Sequence, residues 1–138
     1  MAYPNTFIRG ISVREYLLED GTVSASAFDF SQKTREDGWK SFSINWEDDE
    51  NAGRFTLGQR KENGDIQFKA GYVVIPREEI DHLNHQPTVN GMLNYERQPL
   101  VDNPFHGNIL ARGNVPLPTL RRIQAGLTLI VSKIVHRD

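Results

Sequence analysis

Apolar and polar positions alternate in short runs along most of this chain and change to helical spacing only near its end. Phe7-Ile8-Arg9-Gly10-Ile11 is an apolar-rich run that predicts a strand, with Arg9 on the face opposite Ile8. Asp20-Gly21 is a turn signal. After it Val23, Ala25 and Ala27 alternate with Ser24, Ser26 and Phe28, the pattern of a second strand. Ser31 to Gly38 is polar and reads as a loop, and Ser41 to Trp46 alternates again as a strand. Four successive acids, Glu47 to Glu50, repel one another and predict a solvated loop or a helix start. Phe55-Thr56-Leu57 is a weak strand, and Lys61 to Asp65 a turn. Ile66, Phe68, Ala70 and Tyr72 alternate with other residues and lead into Val73-Val74-Ile75, the strongest strand signal in the chain.

Pro76 is suited to open a short helix reaching Leu83, with Glu78 and Glu79 in its first turn. Asn84 to Asn94 reads as loop, Tyr95 to Val101 as an edge strand because Pro99 cannot donate to a ladder, and Ile109 to Arg112 as a further strand. At 3.6 residues per turn, Leu120, Ile123, Leu127, Ile130, Val131, Ile134 and Val135 share one face of a helix running from Leu120 to Val135. Gly126 on its flank predicts a close approach to a neighbouring strand, and Leu129 falls amid the polar face. Short strands followed by one helix predict a single α+β domain over 1–138: a small, mostly antiparallel sheet with one C-terminal amphipathic helix packed on it.

Composition narrows the function classes. The chain has 138 residues, no cysteine and a net charge of −2. A domain of this size needs no disulfide or metal staple. The lack of cysteine excludes a thiol nucleophile and any Cys-ligated metal site. The balance of charge argues against a dedicated duplex-binding protein, so nucleic acid is not the expected partner. No apolar run approaches a membrane span of about 18 residues, and the start shows no secretory signal, which predicts a cytoplasmic chain with no membrane partner.

Candidate chemistry centres on Asn103-Pro104-Phe105-His106-Gly107-Asn108. His106 is a candidate general acid or base, with Asn103 or Asn108 to orient it or to bind an oxyanion. The same residue types also build a plain turn. Asp81-His82-Leu83-Asn84-His85 sets two histidines three apart on one helix face, but a zinc site needs three or four ligands, so neither metal nor cofactor is predicted. Ser24, Ser26, Ser41 and Ser43 lie in strand-like runs and none sits in a G-x-S-x-G elbow, so a serine hydrolase has no sequence support. The acidic run lacks the spacing of a calcium loop, and no phosphate-binding glycine pattern occurs. Arg9 is a charge in an apolar strand beside Gly10, either a solvent-side edge residue or a holder of phosphate or carboxylate. Arg121, Arg122 and Lys133 give the terminal helix a modest basic face, which could meet nucleic acid, an acidic partner surface, the chain's own acidic loop or only water.

Four segments carry a resemblance: Ser24-Ala25-Ser26-Ala27-Phe28, Ser41 to Trp46, Asn103 to Ile109 and Leu120 to Leu129. In that order the chain resembles a group of small uncharacterised bacterial proteins with a Ser-Ala-Phe strand, a Ser-x-Asn-Trp strand and an Asn-Pro-x-His turn. The resemblance implies a bacterial, cytoplasmic, stand-alone domain and supplies no catalytic residue.

Two readings follow. The first is a non-catalytic binding domain whose partner is another protein or a second copy, reached through the sheet edge near Pro99 or the terminal helix at Leu129, Arg122 and Lys133. The second is a small metal-independent enzyme, toxin-like and acting on RNA or a nucleotide. In it His106 is the acid/base, Arg9 or Arg112 holds the phosphate, and Asn103, Asn108 and Ser26 line the site. Convergence of Arg9, Ser26 and His106 in one cleft separates the two.

Overall fold

The computed structural model describes residues 4–30, 34–47 and 49–137. Among these residues six strands form one antiparallel sheet: β1 (Thr6–Ile11), β2 (Trp39–Trp46), β3 (Gly71–Pro76), β4 (Leu93–Arg97), β5 (His106–Arg112) and β6 (Lys133–His136). They lie in the order β4-β5-β2-β1-β3-β6. Three α-helices accompany them, α1 (Asn51–Gly58), α2 (Arg77–His85) and α3 (Leu117–Leu129). The expected α+β class and the helix that follows the strands near the C-terminus are both present.

Strand alternation sends side chains to two unlike faces. Phe7 and Ile11 of β1, Phe42, Ile44 and Trp46 of β2, Val73 and Ile75 of β3, and Ile109 and Ala111 of β5 point to one side and are buried. Ile80 and Leu83 of α2 and Leu120, Ile123 and Leu127 of α3 close over them. Phe7 packs against Trp46 at 4.8 Å and Tyr95 at 5.1 Å between ring centroids. On the reverse side, among the described residues, Ile8, Val74 and Ala52 of α1 form a small apolar cluster, with Tyr72 and Phe105 beside it.

Several expectations need correction. Ala25–Phe28 is a short 3-10 helix, not a strand: the Ser24 side chain accepts from the Ser26 amide and starts the turn, while Ala27 and Phe28 drop into the core. Phe55 to Leu57 belongs to α1, because Ala52, Gly53 and Thr56 present one buried helical stripe and Asp49 accepts from the Asn51 amide at its start. The acidic run does precede a helix, although Asp48 lies outside the described residues, as does the beginning of the loop expected from Ser31. The alternation from Ile66 to Ala70 is loop, and the strand begins only at Gly71. Gly71 has φ +129, and an added Cβ would overlap the Val135 carbonyl oxygen, so glycine is what lets β6 dock here.

The edge strand ends at Arg97, before Pro99. His106 opens β5, an interior strand between β4 and β2, rather than sitting in a turn. The terminal helix stops at Leu129, with Ile130 as its C-cap. The β-branched run beyond it pairs with the open edge of β3, from Val74↔Lys133 to Gly71↔His136. Lys133, Ile134 and Val135 are therefore strand residues, not part of a helical face. Gly126 faces Leu83 of α2, where an added Cβ would come within 2.8 Å, so the close neighbour is a helix and not a strand.

Candidate functional site

β1 sits at the centre of the sheet but is held unequally by its neighbours. It pairs with β3 along its full length, from Thr6↔Pro76 to Ile11↔Gly71. With β2 it pairs only at Phe7↔Trp46 and Ile8↔Asn45. Beyond Ile8 the two strands part, while β2 stays paired with β5 as far as Trp39↔Arg112. The parting opens a cleft of about 470 Å³ on the sheet. Three lining residues, Ile8, Ile44 and Leu100, are aliphatic, and most of the others are polar: Arg9, Ser43, Asn45, Gln59, Asn103 and His106 among them.

Arg9 bridges the parted strands. Its Nε donates to the Ala27 carbonyl at 3.0 Å and its Nη1 to the Ser43 carbonyl at 2.7 Å. These bonds satisfy carbonyl oxygens that no ladder reaches. The guanidinium also lies 4.9 Å from the centroid of the Phe42 ring. Burial pulls its pKa down to about 10, and Asp29 acts weakly in the opposite sense. Among the described residues no carboxylate lies within 4.0 Å of this cation. Arg9 is thus a partly buried residue of a central strand, not a solvent-side edge residue.

The cleft walls are braced by a satisfied polar chain. Asn45 Nδ2 donates to Thr56 Oγ1 at 2.8 Å and to Gln59 Oε1 at 2.9 Å, and Asn45 Oδ1 accepts from Asn103 Nδ2 at 2.9 Å. Thr56 in turn donates to the Ala52 carbonyl, and Asn103 Oδ1 accepts from the Phe105 amide. Asn45, Thr56 and Asn103 are all buried, so these bonds fix α1 and the 103–105 segment to β2. Opposite them Phe68 lies over Gly10, where an added Cβ would come within 2.5 Å of the ring. Glycine is needed there for Phe68 to close that side.

His106 stands at the mouth. Its Nδ1 lies 2.9 Å from the Gln98 carbonyl and its Nε2 lies 3.3 Å from Ser43 Oγ. A carbonyl only accepts, so in the neutral ring Nδ1 carries the proton and Nε2 turns its lone pair to the Ser43 hydroxyl. The register produces this pairing: Asn45 is opposite His106 and Ser43 is opposite Asn108, so all four share one face of two adjacent strands.

Of the residues singled out from sequence, Arg9, Asn103 and His106 line the cleft. Ser26 is exposed on the 3-10 helix and is not among the lining residues. Asn108 is buried, donating to Glu96 Oε1 at 3.0 Å and Gln98 Oε1 at 2.8 Å, which holds β4 to β5. Arg112 stacks over the Trp39 ring at 4.2 Å, outside the cleft. Arg122 and Leu129 are exposed on α3, on the other side of the sheet. His85 Nδ1 contacts the Asp81 carbonyl, and His82 lies 3.8 Å from Glu79. Among the described residues no three His, Asp or Glu side chains gather as metal ligands. Sequence reasoning did not assign roles to Ser43, Asn45 and Gln59. Their signal is the polar phase of β2, which alternates with Phe42, Ile44 and Trp46, and a glutamine that caps the end of α1.

No protein-family model, no curated protein and no solved structure matches the chain. Among the described residues no helix is long and apolar enough to cross a membrane.

Proposed function

We propose that this chain is a binding domain whose cleft between β1 and β2 takes a compact anionic small molecule. One observation carries the reading: Arg9 is among the residues lining the cleft, and its guanidinium has two carbonyl oxygens as bonded partners and no carboxylate at ion-pair distance among the described residues. A cation withdrawn from water is costly until it is neutralised, and a bound carboxylate or phosphate oxygen would do so. Asp102 also lines the cleft. Its charge repels a polyanion and favours a ligand with a single charged group. The reading takes the chain as a bacterial cytoplasmic domain, on the resemblance of its four segments.

The test is a titration of the folded chain with inorganic phosphate and with succinate, followed by amide chemical shifts. The expected result is saturable shifts at Gly10, Ser43 and His106 that disappear in Arg9→Met. Shifts of equal size in Arg9→Met, or none in the native chain, overturn the reading.

A protein partner is the second reading. Leu129 is 85% exposed on α3, and β4 and β6 are the two edges of the sheet. Leu129→Asp is then expected to remove a defined complex while the chain stays folded. A variant that keeps its oligomeric state and partners counts against it.

A further inference from the structure

We infer that Ser43 is a nucleophile and His106 its general base, and that the cleft hydrolyses a small ester carrying one negative charge. The choice of an anionic substrate rests on the binding reading above; the nucleophile does not. The supporting geometry is a relay of three groups. The Gln98 carbonyl fixes the tautomer of His106 at 2.9 Å, and the free Nε2 faces Ser43 Oγ at 3.3 Å. Ser43 is exposed and lines the cleft, so its hydroxyl is open to a bound molecule. A cross-strand Ser–His contact alone would be an ordinary sheet interaction. Here the backbone of Ser43 also reaches a cation, because its carbonyl is a partner of Arg9 Nη1 where the strands part. A charged group on the substrate, held at Arg9, would bring the adjoining ester carbonyl to Ser43. Gln59 also lines the cleft, with its amide oxygen occupied by Asn45, which leaves its N–H groups as donors toward a developing oxyanion.

The reaction balances without a metal or a redox partner. Ser43 Oγ attacks the ester carbon as its proton passes to His106 Nε2. The C–O bond to the alcohol breaks, and the alcohol leaves with that proton. Water then attacks the acyl-serine, giving its proton to His106, which returns it to Ser43 Oγ as the acid departs. One water is consumed, and one acid and one alcohol are formed.

The test is labelling of the full chain with a fluorophosphonate probe, mapped by mass spectrometry, beside the phosphate titration described above on the same preparation. The expected result is a single adduct on Ser43, absent in Ser43→Ala and formed at least about 100-fold more slowly in His106→Gln. An unlabelled Ser43, or labelling at an unchanged rate in His106→Gln, overturns the inference. Saturable phosphate binding without an adduct removes the nucleophile and leaves the binding reading standing. An adduct without phosphate binding does the reverse, and neither signal removes both. Ser43→Ala must still show the native amide pattern, which separates loss of the nucleophile from loss of the fold.

Discussion

The two faces of this sheet are built by opposite rules from the same six strands. On one face large apolar side chains meet α2 and α3, and nothing polar is required of them except shape. On the other, α1 covers only the part around Ile8 and Val74, and the rest is a set of hydrogen-bonded polar side chains around a cleft. The first face accounts for stability by burial. The second spends area that could have been apolar on Asn45, Asn103, Asn108, Ser43 and His106. Each buried amide there is matched to a partner, as an interior polar group must be. The difference teaches that the polar face is not simply a solvated surface. A solvated face needs no buried asparagines bracing a helix and a loop around a gap between strands.

The largest effect is expected on the apolar face. Phe7→Ala removes a fully buried ring in contact with Trp46 and Tyr95, and urea unfolding should show a loss of about 3–5 kcal/mol. A loss below about 1 kcal/mol would mean that the two faces do not differ in kind. Next comes the polar face at its most enclosed point. Asn45→Ala strips partners from Thr56, Gln59 and Asn103 at once. Leaving such groups buried and unpaired should cost about 2–3 kcal/mol. Backbone amides of α1 and of the 103–105 segment should exchange faster than those of α3, which places the loss on the cleft side.

Arg9 joins the two faces, and its ionisation gives a smaller, pH-dependent effect. Burial, offset in part by Asp29, lowers its pKa to about 10, below the ordinary guanidinium value. Between those values the unfolded chain binds the proton more tightly than the folded one, so this group's contribution to stability rises with pH across that window. Below the window the contribution is constant and unfavourable. Tyr72 and Tyr95 work in the opposite sense, since burial raises both phenols and their contribution is lost as pH rises. The difference in stability between the native chain and Arg9→Met cancels the tyrosines. That difference should shift in favour of the native chain as pH climbs through the window. A flat difference would show that the guanidinium is solvated, and would weaken the case that it awaits an anion.

Much of the apolar face was legible in the sequence, and little of the cleft. Phe42, Ile44 and Trp46 announce their strand by alternation, and Pro76 with Glu78 and Glu79 announces α2. The misreadings share one cause. Ser24 to Phe28, Phe55 to Leu57 and Ile130 to Val135 are runs of three to six residues, in which strand and helix periods give similar patterns. Tertiary partners then decide: the open edge of β3 claims Lys133–His136, and the space beside Ile8 and Val74 claims α1. Arg9 and His106 could be singled out because a charge beside Gly10 and a histidine among asparagines are unusual. Ser43 could not, because its neighbour His106 comes from the register of β2 on β5, across 63 positions of chain. The parting of β1 from β2 is likewise absent from any local pattern, being a relation between strands whose paired residues, Phe7 with Trp46 and Ile8 with Asn45, are far apart along the chain.

The smallest expected effect on stability is at Ser43. Its hydroxyl is exposed and makes one long bond, to His106 at 3.3 Å. The bond that matters to the fold is made by its carbonyl to Arg9, and a substitution to alanine keeps it. Ser43→Ala should therefore change the unfolding free energy by no more than about 0.5 kcal/mol. Ile44, the next residue on the same strand, faces the core at 3% exposure, and Ile44→Ala should cost about 2–5 kcal/mol. Two adjacent positions then differ several-fold because strand geometry turns them to opposite faces. Urea midpoints for the two variants measure the contrast. A loss above about 1 kcal/mol for Ser43→Ala would mark the Ser43–His106 bond as part of what holds the sheet together. A negligible loss, together with loss of the fluorophosphonate adduct, would mark the hydroxyl as one the fold does not need and the cleft does.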